Sequence, residues 1–408
     1  MSNNKVLFDP KAPKPKLILP SQQKKDNHSK ESNLKKDYSD IQKWEKRSVK
    51  ETALEPQMRV DVARKYSGII ATDFKLAIKY DLEARQWKYT LYNILSSNRT
   101  EFPSMSRELL QQWTQFMDQI YLVYKEQLDL LKDMKNLKPI AWISCILHLG
   151  DLARYKASYL CSVSSYSIAK AHYLEASTIS PGNGLVWNQL GIVSRSMGLY
   201  LASIKYYMTA LCVPKHPFAS ARDAILELFH YASNEIMENH VQDHEMSILL
   251  ESDTPNPTTL FILEKSFLAL QASIYTKIGL DSLSKGLDGL VTELQNTDFS
   301  SMDSKNCCEW WYAIGLICIS SYHLISTNPN FDEIGKSAAL NAQLLLVEAL
   351  LSSASAAIVE SLPNLEGHVT FLNLILYWAC SVDLSTTFIK VFCVKLVLFF
   401  NTRPVCRN

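Results

Sequence analysis

Three pairs of residues recur 34 positions apart in this chain: Ala169 and Ser203, Tyr173 and Tyr207, Ala176 and Ala210. A period of that length belongs to helix-turn-helix repeats, whose units stack because none can bury its apolar face alone. The small residues let two helices approach closely. The tyrosine is expected to fill the gap between successive repeats. On the preceding helices, Leu149-Gly150 and Leu190-Gly191 make a matching step 41 residues apart, so the first unit carries seven extra residues. The stretch Ala157 to Tyr166, rich in Ser and Tyr, is expected to hold them as a loop. Pro181-Gly182 ends the first unit, since Pro cannot continue a helix and Gly accepts a left-handed backbone. Pro214 ends the second.

The period is that of the tetratricopeptide repeat, and the rest of the chain agrees with an all-α fold. Of the 408 residues 47% are apolar and only 12 are glycine. Apolar residues at helical spacing predict a long helix over Ala71 to Ser96 and another over Ser104 to Asn136. The two repeats follow as Ile140 to Lys156, Ser167 to Ser180, Leu185 to Met197 and Leu199 to Val213. His216 to Asn239 continues the array. After the break DTPNP (Asp253 to Pro257), helices are expected over Thr258 to Leu280, Leu283 to Leu294, Cys308 to Ser326, Asp332 to Val359 and His368 to Cys380.

Charge and composition divide the chain further. Net charge is +1, yet the first 50 residues hold thirteen Lys and Arg against six Asp and Glu. Residues 1–54 are expected to be a disordered basic tail, a solvated arm or one that contacts nucleic-acid phosphates. Residues 55–252 then form the repeat domain, 258–385 a helical-hairpin domain, and 386–408 an atypical tail, β-branched and aromatic, with no helical account. A truncated end or a buried final segment would both explain that tail.

Little catalytic chemistry is legible. The nine cysteines include no CxxC or CxxH pair and, after a polar N-terminus, read as reduced thiols. Phe388 to Phe400 is the nearest approach to a membrane span, at 13 residues with two lysines, too short to cross a bilayer. Gly335-Lys336-Ser337 ends like a phosphate-binding loop but lacks its first glycine and a preceding strand. His240 and His244 are spaced for one helix face without a third metal ligand. Cys307-Cys308 beside Trp310-Trp311 suggest a packed core, and Asp281, Asp288, Asp298 and Asp303 read as solvated acids.

The wording of the repeats carries a resemblance. Gly150, Asp151, Ala153, Arg154 and Tyr155, then Tyr173, Ala176, Pro181, Gly184, Asn188, Gln189, Leu190, Tyr206 and Tyr207, match a shared pattern. It is the pattern of the telomerase-associated Est one-like proteins and the SMG factors of nonsense-mediated mRNA decay. Over about residues 70 to 235 the chain resembles that family, and Lys170 to Leu174 is most similar to its SMG-six (Est one A) branch. The structural repeat residues are Gly150, Ala169, Tyr173, Ala176, Asn188, Leu190, Gly191, Tyr207 and Ala210.

The resemblance implies a 14-3-3-like tetratricopeptide array followed by a helical-hairpin domain. It implies a non-catalytic adaptor in cytoplasm and nucleus, with a concave face that binds phosphoserine on a partner. That partner would be the phosphorylated RNA helicase of mRNA decay, with other SMG-type factors, telomerase RNA or single-stranded telomeric DNA as further associates. No membrane, metal or cofactor is implied. Longer members carry a PIN-type nuclease domain whose pattern is not found in this sequence. Arg154 is the expected phosphate ligand, as a planar guanidinium that can bind bidentately. Lys88 is the expected second cation, because Tyr92 stands where the family has a lysine and Thr209 where it has an arginine. The competing readings are an ion pair of Arg154 with Asp151, three residues away on one helix, and a scaffold without phosphopeptide specificity.

Overall fold

A computed structural model describes residues 27–48, 55–160, 164–233, 257–297, 299, 302–329, 332–359 and 365–381. Among them there is no strand, and the one isolated bridge joins Asn183 to His216. The chain divides into two compact units, Met1–Ser180 and Pro181–Asn408.

The first unit begins earlier than expected. Residues 27–48, assigned from composition to the disordered tail, form helix α1 (Asn27–Ser48). Its charges are concentrated on one side, and Tyr38, Ile41 and Trp44 are buried on the other. Glu45 is buried with them. It accepts bonds from Arg85 Nε at 2.6 Å and Tyr66 Oη at 2.7 Å. Arg85 also donates to the Tyr80 carbonyl at 3.1 Å and to Tyr38 Oη at 3.2 Å. Buried Arg59 donates to the Tyr89 carbonyl at 3.3 Å and lies 5.2 Å from the Trp44 ring. A buried pair made in this way is costly to break, because one partner is left charged and dry.

Ala71 to Ser96, expected as one helix, is broken twice into three pieces. Helix α2 (Pro56–Thr72) stops at Asp73, whose side chain accepts from the Leu76 amide at 2.9 Å and starts α3 (Phe74–Lys79). Asp81, left-handed at φ 53°, starts α4 (Leu82–Trp87). A π-turn over Lys88–Tyr92 then leads into α5 (Asn93–Ser97). Asp73 breaks the apolar helical pattern by capping, its side chain competing with the backbone for hydrogen bonds, and Asp81 breaks it through the left-handed backbone that aspartate tolerates. Helix α6 (Arg107–Asp133), capped by Ser106, follows. Helices α7 (Ile143–Leu160) and α8 (Ser164–Ile179) complete the unit as the first repeat. The extra residues of that repeat therefore lengthen its helices rather than form the expected loop.

The second unit opens with the second repeat, α9 (Gly184–Ser196) and α10 (Tyr200–Cys212), followed by α11 (Ala221–Ser233). It continues as α12 (Pro257–Thr276), α13 (Leu283–Asn296), α14 (Ser304–Thr327), α15 (Glu333–Val359) and α16 (Leu365–Ser381). Ile225, Leu228 and Phe229 of α11 share one buried cluster with Leu263 and Phe267 of α12 and Trp311 of α14. The expected boundary at DTPNP therefore does not separate two cores, and the division falls instead at Pro181. Helix α15 is long and apolar enough over Glu333–Ala354 to cross a membrane by length and composition, which the sequence reading had not found. It lays Ala339, Leu346, Val347 and Leu350 into the same core.

Within each repeat the tyrosine packs onto the glycine of its own partner helix. A Cβ added to Gly150 would lie 2.5 Å from Tyr173 Cε1, and one added to Gly191 would lie 2.5 Å from Tyr207 Cε1. The tyrosine thus fills a gap inside the repeat, not the one expected between successive repeats. Ala169, Ala176, Ser203, Ala210 and Leu190 are buried around it, and Asn188 nearly so.

Candidate functional site: Arg154 on an aromatic ladder

Helix α7 turns His148, Asp151, Tyr155 and Tyr159 toward one side at spacings of three and four residues. Tyr173, seated on Gly150, donates from its hydroxyl to Asp151 Oδ1 at 2.6 Å. Arg154 donates from Nη2 to that same oxygen at 3.0 Å and from Nε to the Tyr173 hydroxyl at 3.4 Å. The glycine thus decides where the tyrosine sits, and the tyrosine helps decide where the arginine sits. The ion pair with Asp151 that the spacing suggested is formed.

The guanidinium lies 4.3 Å from the Tyr155 ring centroid. The side chains of Arg154 and Asp151 are only 14% and 13% exposed. Burial works against the charge on Arg154. The carboxylate of Asp151 and the hydroxyls of Tyr173 and Tyr155 outweigh it, so the group is more basic than a free guanidinium. It stays charged at any cellular pH.

Lys88, the first residue of the π-turn, is half-buried with its ammonium 5.5 Å from the Tyr89 ring. It is tied to the arginine's helix through its neighbour Trp87. The indole stacks on His148 at 4.3 Å and on Tyr155 at 6.3 Å. Tyr92, at the other end of the π-turn, is 46% exposed. Thr209 is on α10, in the other unit. Its hydroxyl is turned back to the Lys205 carbonyl at 2.8 Å.

Sequence reasoning missed the groups behind the ladder. His148 is stacked and half-buried, its Nδ1 buried and unpartnered, and burial pushes its pKa down to about 4 against the weaker pull of Asp151. Glu83 Oε1 and the Tyr124 hydroxyl are likewise buried and unpartnered. Burial, reinforced by Asp81, raises Glu83 to about 7. The histidine stood in plain view one turn before Asp151, but nothing in the local sequence marks it as buried.

The remaining candidates fall elsewhere. Gly335 lies in the first turn of α15, its amide bonded to Asp332 at 2.6 Å, as a helix cap. Cys307 and Trp311 are buried core residues, as expected. His240, His244, Asp298 and residues 386–408 lie outside the described residues. Among the described residues no three His, Cys, Asp or Glu converge as a metal site.

Residues 169–403, more than half of the chain, match the family described as the Est1 DNA/RNA binding domain. The match takes in Tyr173 but begins after Arg154. The chain is 24% identical over 202 residues to the telomerase-binding protein EST1A of Danio rerio, 43% of this chain and 13% of that one. It is 32% identical over 136 residues to the nonsense-mediated mRNA decay factor SMG5 of Danio rerio, 33% of this chain and 12% of that one. The matched segments are therefore a small part of those relatives. In the crystal structure of Est1 and Cdc13, a chain of 14% identity superposes with a TM-score of 0.65, over 89% of this chain and 80% of that one. The C. elegans SMG5–SMG7 complex contains a chain of 16% identity at 0.50, over 90% and 88%. These likenesses place the helical array in the 14-3-3-like class.

Proposed function

Because this chain belongs to the Est1 DNA/RNA binding domain family, we propose that it is a non-catalytic adaptor that holds a phosphoserine segment of a partner at Arg154. The relatives named for mRNA decay and telomerase support an adaptor role in those processes. The observation that carries the phosphoserine reading is the fixed guanidinium. Two hydrogen bonds and the Tyr155 ring hold it in one orientation, which reduces the ordering cost of accepting a phosphate. A phosphoserine brings nearly two negative charges and three acceptor oxygens. Lys88, tied to the same ladder through Trp87, is the second cation. Tyr92 and Thr209, in place of basic residues, make the affinity depend mainly on Arg154.

On this reading the partner is the phosphorylated RNA helicase of mRNA decay, in company with other SMG-type factors, in cytoplasm and nucleus. Association with telomerase RNA or single-stranded telomeric DNA would be a second contact of the same adaptor. A plain scaffold without phosphopeptide specificity is favoured by one observation: Arg154 is already paired with Asp151 and mostly buried.

Titration of the full chain with phosphorylated and unphosphorylated forms of one helicase peptide separates the two. The adaptor reading expects a preference of tenfold or more for the phosphorylated form, about 1.4 kcal/mol, and its loss in Arg154→Glu. Equal affinities would leave the plain scaffold.

A further inference from the structure

Five rings form a near-parallel row along α7. His148 and Trp87 lie 4.3 Å apart with planes 8° from parallel, Trp87 and Tyr155 6.3 Å at 21°, Tyr155 and Tyr159 5.8 Å at 9°, and Tyr159 and Phe102 4.8 Å at 7°. Phe102 is buried and the other four rings are half-buried, with Tyr155 and Tyr159 the two that follow Arg154 along α7. The guanidinium of Arg154 lies against the first of them.

We propose that the phosphoserine segment carries a large apolar or aromatic residue two or three positions from the phosphoserine, and that this residue packs on Tyr155 and Tyr159. The inference rests on the phosphoserine reading of Arg154. Its register comes from length. Arg154 to Tyr159 is five residues of helix, a rise of about 7.5 Å. An extended segment covers that in two to three residues at roughly 3.3–3.6 Å each.

The chemistry comes from which parts of the rings are free. Tyr155 has Trp87, Tyr159 and the guanidinium against it, and Tyr159 has Tyr155 and Phe102. The guanidinium lies over a face of Tyr155 and Phe102 stacks on a face of Tyr159, so each ring has one face already covered. Single-stranded nucleic acid binds by stacking successive bases on open ring faces, which a row of half-covered rings serves poorly. An aromatic side chain packs face to edge, and an aliphatic one packs on either. The carboxylate of Asp151, beside the arginine, disfavours a second acidic residue next to the phosphoserine.

The test uses the full chain and a fluorescein-labelled Gly-Ser peptide with one phosphoserine. Phe is moved through positions −4 to +4, and binding is read by anisotropy. Phe at one of the positions two or three residues away tightens binding about three- to tenfold over Gly, the range of an edge-to-face pair. With each variant's affinity for the Phe peptide read relative to its own affinity for the all-Gly-Ser phosphopeptide, Tyr159→Ser abolishes the gain and Tyr159→Phe keeps it. A photo-crosslinking residue at the favoured position labels residues 155–159 of the unmodified chain, an arm that needs no variant to fold.

A flat Phe scan with phosphate dependence intact overturns the ladder site and spares Arg154. Loss of phosphate dependence removes both. Label elsewhere, or a single-stranded oligonucleotide that displaces the phosphopeptide and labels residues 155–159 itself, also overturns it.

Discussion

The pair α7/α8 and the pair α9/α10 set a tyrosine on a glycine at the same distance, yet only one of them builds a polar site there. Aligned on Gly150 and Gly191, Arg154 corresponds to Arg195, Asp151 to Ile192, Tyr155 to Ser196 and His148 to Gln189. With no carboxylate one residue after the glycine, Arg195 reaches away instead. It pairs with Glu227 of α11 at 2.8 Å, with side chains 42% and 63% exposed. The same helix position thus carries a fixed, mostly buried cation in one repeat and a solvated one in the other. One neighbouring residue, Asp or Ile, separates the two outcomes.

The largest effects test what the repeats share. Tyr173→Ala and Tyr207→Ala each remove a fully buried ring and should each cost about 3–5 kcal/mol. Chemical denaturation checks this, and a large difference between them would mean the glycine–tyrosine step is not equivalent. Next comes what they do not share. Asp151→Ala leaves Arg154 mostly buried and unpaired and should cost about 3 kcal/mol. Glu227→Ala breaks an exposed pair and should cost less than about 1 kcal/mol. Similar losses would erase the contrast drawn here.

Smaller effects come from proton linkage. His148 is held near 4 in the fold, below its unfolded value of about 6.5. Its contribution is present above pH 6.5 and is lost as pH falls toward 4. In His148→Gln, which installs the residue of the second repeat, that acid-side loss should disappear; urea melts at pH 4, 5.5 and 7 would reveal it.

Glu83 has the opposite sign. Its folded value is raised to about 7, so its contribution is present below pH 4.5 and is lost as pH rises through 7. Glu83→Gln should therefore gain stability over wild type progressively as pH rises from 4.5 through 7, by about 3 kcal/mol at most. A difference that stays constant with pH would show that Glu83 titrates normally.

Much of this fold was legible from spacing. The 34-residue period, the Leu-Gly step and Pro181 placed α7 to α10 to within a few residues, and apolar periodicity found the five α-helices that the described residues form from Pro257 onward. What failed was of two kinds. Composition assigned residues 27–48 to a tail because Lys, Glu and Asp outnumber apolar residues there. Three well-placed apolar residues and a buried Glu45–Arg85 pair were enough to dock them. Periodicity also carried a helix through Asp73 and Asp81, because it registers neither side-chain capping at the first nor a left-handed backbone at the second.

The site was half legible. Arg154 and its pairing with Asp151 follow from three-residue spacing on a helix. The contact of Tyr173 with that pair does not, since it depends on a helix that begins across a connection. Nor does the ladder, which draws Trp87 and Phe102 from elements about 50 to 70 residues upstream of α7.

By itself, then, the sequence determined that the chain is a helical array with a glycine–tyrosine step in each of two repeats, and that an arginine recurs four residues after each glycine. These are properties of period and local stereochemistry. Only the tertiary structure decided that one arginine is locked beside stacked rings while the other is solvated, that His148 Nδ1 and Glu83 Oε1 are buried without partners, and that the chain divides at Pro181. Burial and ring stacking are made between segments distant in sequence, and their strength depends on water being excluded from all sides at once.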